Sequence, residues 1–145
     1  MEIYIEKVKD YSIGLTEAIN RLLVQLNEAA VALTDQDVKN MIASSANKFF
    51  VAKESGNKKI VGMITLIVFQ SAFTKKGIIE DVVVDKEYRG KGIGTKLISC
   101  AISEARKEGT TCIDLTSNPR RIAANKLYQH LGFKKRDTNV YRMEL

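Results

Sequence analysis

The chain has 145 residues, 45% of them hydrophobic and 28% charged, which fits one ordinary globular domain and excludes a disordered chain. Its longest apolar runs, such as Val82–Val84 and Leu66–Phe69, fall far short of a membrane span, and the opening Met1-Glu2-Ile3-Tyr4 lacks a signal-peptide pattern. A cytoplasmic location is therefore expected. A single histidine, His130, and two cysteines without ligand spacing exclude a His/Cys zinc site. No metal is expected, and Cys100 and Cys112 read as buried, reduced core thiols.

The net charge of +6 is unevenly spread. Residues 1–75 carry nine Lys and Arg against eight Asp and Glu, whereas residues 76–145 carry fourteen against nine. A basic C-terminal half suits nucleic acid, an anionic surface or a phosphate-rich small ligand, and charge alone does not choose among them.

Taken in chain order, Glu2–Val8 alternates apolar and charged residues and reads as a strand. From Ile13 the positions Leu15, Ile19, Leu22, Leu23, Leu26 and Ala30 fall at helical spacing. A second helix is predicted from Thr34, with Asp37 completing a capping pair. The period then changes. Lys48–Lys53 and Lys59–Phe69, separated by the turn residues Glu54-Ser55-Gly56-Asn57, predict a hairpin, and Gly77–Asp85 a further apolar strand. Gly92–Glu108 is a predicted helix ended by Gly109, and Cys112–Thr116 a buried strand. Asn118-Pro119 predicts the start of a helix running to about Leu131, with Gly132 closing it. Phe133–Lys135 and Val140–Glu144 are predicted as two short final strands. The order is that of a mixed α/β fold with one dominant sheet.

The most informative stretch is Arg89-Gly90-Lys91-Gly92-Ile93-Gly94-Thr95, at a strand-to-helix junction. Alternating residues without a Cβ let the backbone approach a ligand and turn N–H groups toward it. The helix start behind them supplies unpaired donors and about half a positive charge. Arg89, Lys91 and the Thr95 hydroxyl add more, an arrangement suited to a pyrophosphate. The spacing fits neither a P-loop nor the dinucleotide fingerprint, whose sixth position would fall on Thr95 or Leu97 rather than glycine.

Residues 78–94, Ile-Ile-Glu-Asp-Val-Val-Val-Asp-Lys-Glu-Tyr-Arg-Gly-Lys-Gly-Ile-Gly, resemble the acetyl-CoA-binding core motif of the GNAT superfamily of N-acetyltransferases. Arg89, Gly92 and Gly94 fill its fixed positions. Residues 123–133, ending Tyr128-Gln129-His130-Leu131-Gly132-Phe133, are similar to the family's C-terminal helix. The resemblance implies a single N-acetyltransferase domain over residues 1–145, with a mixed, mostly antiparallel sheet of about six or seven strands and about four helices. It also implies acetyl-CoA as co-substrate and an amine as acceptor, without nucleic acid or membrane as partner; homodimers are common in the family.

Roles follow from the resemblance residue by residue. The backbones of Val82 and Val84 would bond the pantetheine amides, and a bulge would leave an N–H such as that of Val83 for the thioester oxygen. Gly90, Gly92, Ile93, Gly94 and Thr95, with Arg89 and Lys91, would hold the pyrophosphate. Glu80 matches the position of a general base, often acting through a water, and Asp81 supports it. Strict alternation would send these two side chains to opposite faces. Tyr128 matches the general acid that returns a proton to the departing thiolate. Asn118 and Asn125 are candidate pantetheine or adenylate contacts, while Arg121 stands where the family often has asparagine. The resemblance leaves open a protein or peptide acceptor, and a non-catalytic acyl-CoA sensor.

Overall fold

The computed structural model describes residues 2–145 as two compact units, the first running through Leu115 and the second from Thr116 to Leu145. The first unit holds one five-stranded sheet in the order β1-β2-β3-β4-β5. Its strands are β1 (Ile3–Lys7), β2 (Asn47–Glu54), β3 (Ile60–Gln70), β4 (Lys75–Val84) and β5 (Ile113–Asp114). The first four pair antiparallel; β5 pairs parallel to β4. Three helices accompany the sheet: α1 (Leu15–Leu26), α2 (Asp35–Ala43) and α3 (Ile93–Lys107).

Strand alternation sorts the core into two layers. Phe49, Val51, Met63 and Val83 point to one face, where they meet Leu15, Ile19 and Leu22 of α1 and Val38 of α2. On the other face, Gly62 and Ala52 leave room for Leu97 of α3. Buried Ile93, Leu97, Ile98, Ala101 and Ala105 recur at helical spacing and turn one stripe of α3 to the sheet. Burying each large aliphatic side chain here contributes about 1.5–3 kcal/mol. The predicted capping pair is present: Thr34 Oγ1 accepts from the Asp37 amide and Asp37 Oδ2 accepts from the Thr34 amide.

The second unit contains α4 (Ile122–His130). It starts later than Pro119 because residues 118–121 form a turn. Asn118 Oδ1 accepts from the Arg120 amide at 2.9 Å, and the Asn125 side chain donates to the carbonyls of Asn118 and Arg121. The sheet is smaller than expected. Among the described residues, five strands are formed rather than six or seven, and neither 133–135 nor 140–144 is a strand. Val140, Tyr141, Met143 and Leu145 are exposed, and an alternating segment without a ladder partner does not hold as a strand. Likewise β5 keeps only Ile113 and Asp114 of the predicted Cys112–Thr116. Cys112 is exposed and Cys100 half-buried, so neither is the fully buried core thiol expected. No helix among the described residues is long and apolar enough to cross a membrane.

Candidate active site

The central feature is a fault in the ladder between β3 and β4. Thr65 pairs with Glu80 and Met63 with Val83, so Asp81 and Val82 together oppose Ile64. This is a β-bulge, and Asp81 adopts the left-handed backbone conformation at φ 56° to make it. The Thr65 hydroxyl donates to Asp81 Oδ2 at 3.2 Å. Both acidic neighbours therefore meet Thr65, one by strand pairing and one by its carboxylate. The bulge breaks the alternation that would have sent Glu80 and Asp81 to opposite faces. Glu80 is exposed and Asp81 partly buried, so Glu80 lies in contact with water rather than in the apolar setting expected of the strand.

On its other edge β4 is paired only at Gly77 and Ile78, which meet Ile113 and Asp114. From Ile79 to Val84 that edge has no strand partner among the described residues. Val83 places its side chain in the core, while Val82 and Val84 are partly buried.

Beyond β4, Asp85 starts a short turn of 3-10 helix (Lys86–Tyr88) that delivers the chain to the glycine loop. Gly90 and Gly92 take φ values of 76° and 79°, and nothing lies within 4 Å of where a Cβ would stand on either. Gly92 is the N-cap of α3, with no side chain capping the helix. Among the described residues, the backbone N–H groups from Gly90 through Thr95 make no internal hydrogen bond; the first helical bond runs from Lys96 to the Gly92 carbonyl. Six adjacent donors at a helix start form an anion cradle. Gly94 and Thr95 are partly buried, whereas Ile93 is buried in the core and offers the cradle only its amide. Arg89 folds its Nε onto the Val84 carbonyl at 3.0 Å, pinning the loop to the end of β4.

The turn is braced from the opposite side. Asp85 is buried and joined to Arg21 of α1 at 2.6 Å, while the second Arg21 nitrogen donates to the Ile60 carbonyl. Asp85 also accepts from the Glu87 amide and donates its own amide to the Val61 carbonyl. Tyr88 carries two ammonium groups over its ring, Lys59 and Lys91, each 5.4 Å from the centroid. Partial burial and the neighbouring Glu54 carboxylate push its phenol pKa up.

In the second unit, the Tyr128–Phe133 motif acquires a physical basis. Gly132 turns left-handed at φ 101°, the Phe133 amide donates to the Tyr128 carbonyl, and the Gly132 amide to that of Gln129. This is a Schellman cap, completed by an edge-to-face contact of the Tyr128 and Phe133 rings at 6.1 Å. Tyr128 is buried, and burial raises its phenol pKa, partly offset by Arg121. Asn118 and Asn125 serve the turn before α4, which leaves Asn118 Nδ2 and Asn125 Oδ1 for other partners. His130 is exposed.

The first unit thus brings Glu80, Asp81, Val82–Val84 and residues 89–95 into one continuous stretch of bulge, open edge and loop. Sequence reading missed Thr65, Arg21, Asp85 and Tyr88 as supports. Asp85 carried a signal, a carboxylate ending an apolar strand just before a glycine loop; the others carried none. Ser117 Oγ was also passed over, and it is buried without a hydrogen-bond partner.

An open, bulged strand running into a glycine-rich helix start offers an extended anionic ligand an unpaired strand edge and a row of unbonded amides. The sequence matches the acetyltransferase (GNAT) family over residues 8–133. It is 34% identical over 107 residues to a glucosamine 6-phosphate N-acetyltransferase of Trypanosoma brucei brucei, covering 71% of this chain and 68% of that one. It is 35% identical over 81 residues to an aminoalkylphosphonate N-acetyltransferase of Salmonella typhimurium, covering 54% and 53%. A crystal structure of a Trypanosoma brucei acetyltransferase superposes with a TM-score of 0.80 at 25% identity, over 99% of this chain and 100% of that one. The chain belongs to the GNAT acetyltransferase family. The match spans 40% of the length of an uncharacterized N-acetyltransferase of Methanocaldococcus jannaschii and 68% of that of the trypanosomal enzyme. Members of the family use acetyl-CoA as co-substrate, and the free amides of the loop, the empty Cβ positions and the open edge of β4 fit that molecule.

Proposed function

We propose that residues 1–145 act as one N-acetyltransferase domain that moves the acetyl group of acetyl-CoA onto the primary amine of a small molecule. The bulged, half-open β4 leading into unbonded loop amides carries the proposal. The main chain of Val82–Val84 lines the pantetheine arm, and the amides of Gly90–Thr95, with Arg89 and Lys91, hold the pyrophosphate. An amide of β4 next to the bulge, such as that of Val83, donates to the thioester oxygen as charge develops there, an effect worth about 3–4 kcal/mol where a single donor has been removed.

A free aliphatic amine is largely protonated at neutral pH, given a reference pKa near 10.4. Glu80 takes that proton through a water, as its exposure favours, and Asp81 orders the bulge beside it. The amine nitrogen then bonds to the carbonyl carbon, the C–S bond breaks, and the second proton leaving nitrogen as the amide forms replaces the one that Tyr128 gives up. The departing thiolate takes a proton from Tyr128, whose phenol, ordinarily near 10 and raised by burial, is protonated at neutral pH. Asn118 and Asn125 provide further cofactor contacts. The named activities of the trypanosomal and Salmonella relatives favour a small amine that also bears a phosphate or phosphonate.

Calorimetric titration with acetyl-CoA, followed by thiol release over a panel of amines, tests this. The panel includes glucosamine 6-phosphate and aminomethylphosphonate. Binding with amine-dependent thiol release is expected. Binding without turnover, unchanged in Tyr128→Phe, would replace the enzyme with an acyl-CoA sensor.

A further inference from the structure

A second basic feature of the first unit lies outside the bulge and the loop. The β2–β3 hairpin and the first turns of α1 flank an open cavity of about 310 Å³, whose wall includes Arg21, Lys53, Lys58 and Lys59 against one acidic side chain, Glu17. Two of the four cations are already neutralised, Arg21 by Asp85 and Lys53 by Glu6. Lys58 and Lys59 have no carboxylate within salt-bridge distance among the described residues; their ammonium groups lie over the rings of Tyr4 and Tyr88.

Lys58 is also strained. It holds the left-handed conformation at φ 62°, a hairpin position ordinarily given to glycine or asparagine. The hairpin is closed on both sides of it, the Lys58 amide donating to the Glu54 carbonyl and the Glu54 amide to that of Lys59. Asn57 Oδ1 fixes the Lys59 amide as well. The backbone of both lysines is thus fixed, Lys58 at a conformational cost, and each ammonium group lies over an aromatic ring without a salt bridge among the described residues. Lys59 shares the Tyr88 ring with Lys91 of the glycine loop, so the cavity adjoins the cofactor cradle within the same unit.

We propose that this cavity binds the dianionic phosphomonoester, or the equivalent phosphonate, of a substrate. The choice of ligands rests on the acetyl-transfer reading, and two substrates can supply that chemistry. One is the 3′-phosphate of coenzyme A, reaching past the loop; the other is the phosphate of a phosphorylated amine acceptor. Lys58 and Lys59 are the specificity-determining residues in either case.

The test is calorimetric titration of the full chain with two matched ligand pairs. One pair is coenzyme A and 3′-dephospho-coenzyme A; the other is glucosamine 6-phosphate and glucosamine, titrated with coenzyme A present. In the wild-type protein one pair favours its phosphorylated member about tenfold or more, the preference expected of one well-placed charged contact. In Lys58→Gly/Lys59→Gln that preference falls below about threefold, while the ligand lacking phosphate binds as before. Which pair responds names the source. Absence of preference in both pairs, or a preference that survives in the variant, overturns the proposal. The single variant Lys58→Gly relieves the positive φ, so its thermal midpoint separates a lost contact from a lost fold. A phosphate preference that collapses in the variant, in a chain that transfers no acetyl group, would sink the enzymatic reading and leave this site standing. Turnover with unchanged preferences would do the reverse.

Discussion

The Thr65 hydroxyl and the Asp81 carboxylate meet at 3.2 Å, at the one place where β4 carries two residues opposite one of β3. Thr65 is buried in an otherwise apolar strand, and Asp81 holds a positive φ. The bond joins a polar group that needs a partner to a backbone that needs an anchor. Asp81→Gly keeps the conformation without strain and removes the carboxylate. Its stability, by urea denaturation, should stay within about 1 kcal/mol of wild type. Its kcat should fall about tenfold or more if the carboxylate orders the bulge for chemistry. An unchanged kcat would reduce Asp81 to a turn residue.

Tyr128→Phe keeps the ring that packs on Phe133 and the backbone of the cap, and removes only the hydroxyl. Affinity for acetyl-CoA should be retained, while kcat falls by about 10²–10⁴, the range of a lost general acid. Because burial raises the Tyr128 pKa, its proton persists above the ordinary tyrosine value of 10. The alkaline decline of kcat due to Tyr128 should therefore lie above pH 10 and vanish in the variant. The same shift means that its protonated form stabilises the fold below that pH, and the contribution is lost as pH rises through the folded-state pKa.

Gly132→Ala addresses the cap alone. At φ 101° an added Cβ meets no atom within 4 Å, so the cost is backbone strain. A loss of about 1–2 kcal/mol is expected in denaturant melts.

Gly92→Ala separates strain from obstruction in the cradle. Its Cβ would also meet no protein atom within 4 Å, yet it would project at the N-cap of α3. The free protein should lose about 1–2 kcal/mol, while acetyl-CoA affinity drops further, by about tenfold or more. Equal affinity in wild type and variant, measured by titration, would remove the backbone of the loop from the cofactor site.

Asp85→Asn leaves Arg21 facing a neutral amide in a buried setting. Arg21 is itself partly exposed, which discounts the cost to about 1–3 kcal/mol in urea melts. Since Asp85 also holds the turn that delivers the glycine loop, coenzyme A binding should weaken with it. Arg21→Ala should reproduce both losses.

Much of this protein was legible in its sequence because the causes are local. The α2 capping pair lies within Thr34–Asp37, the glycine cradle within residues 89–95, and the Schellman cap within Tyr128–Phe133. In each, a hydrogen bond or a positive φ reaches only a few residues along the chain, so order and spacing suffice. The family followed from the same short motifs. Sequence reading erred where the outcome depended on a distant partner. The final segment alternates like a strand, yet residues 133–145 form no ladder, because pairing is decided by what lies alongside and not by alternation. Only tertiary structure decided that Asp81 and Val82 share one partner, since register is a property of two strands. Only folding joins Arg21 to Asp85, 64 residues apart, and brings Lys59 and Lys91 to one tyrosine ring. These contacts close long loops and are made by packing the α1 face and the hairpin against the end of the sheet, which no local rule encodes.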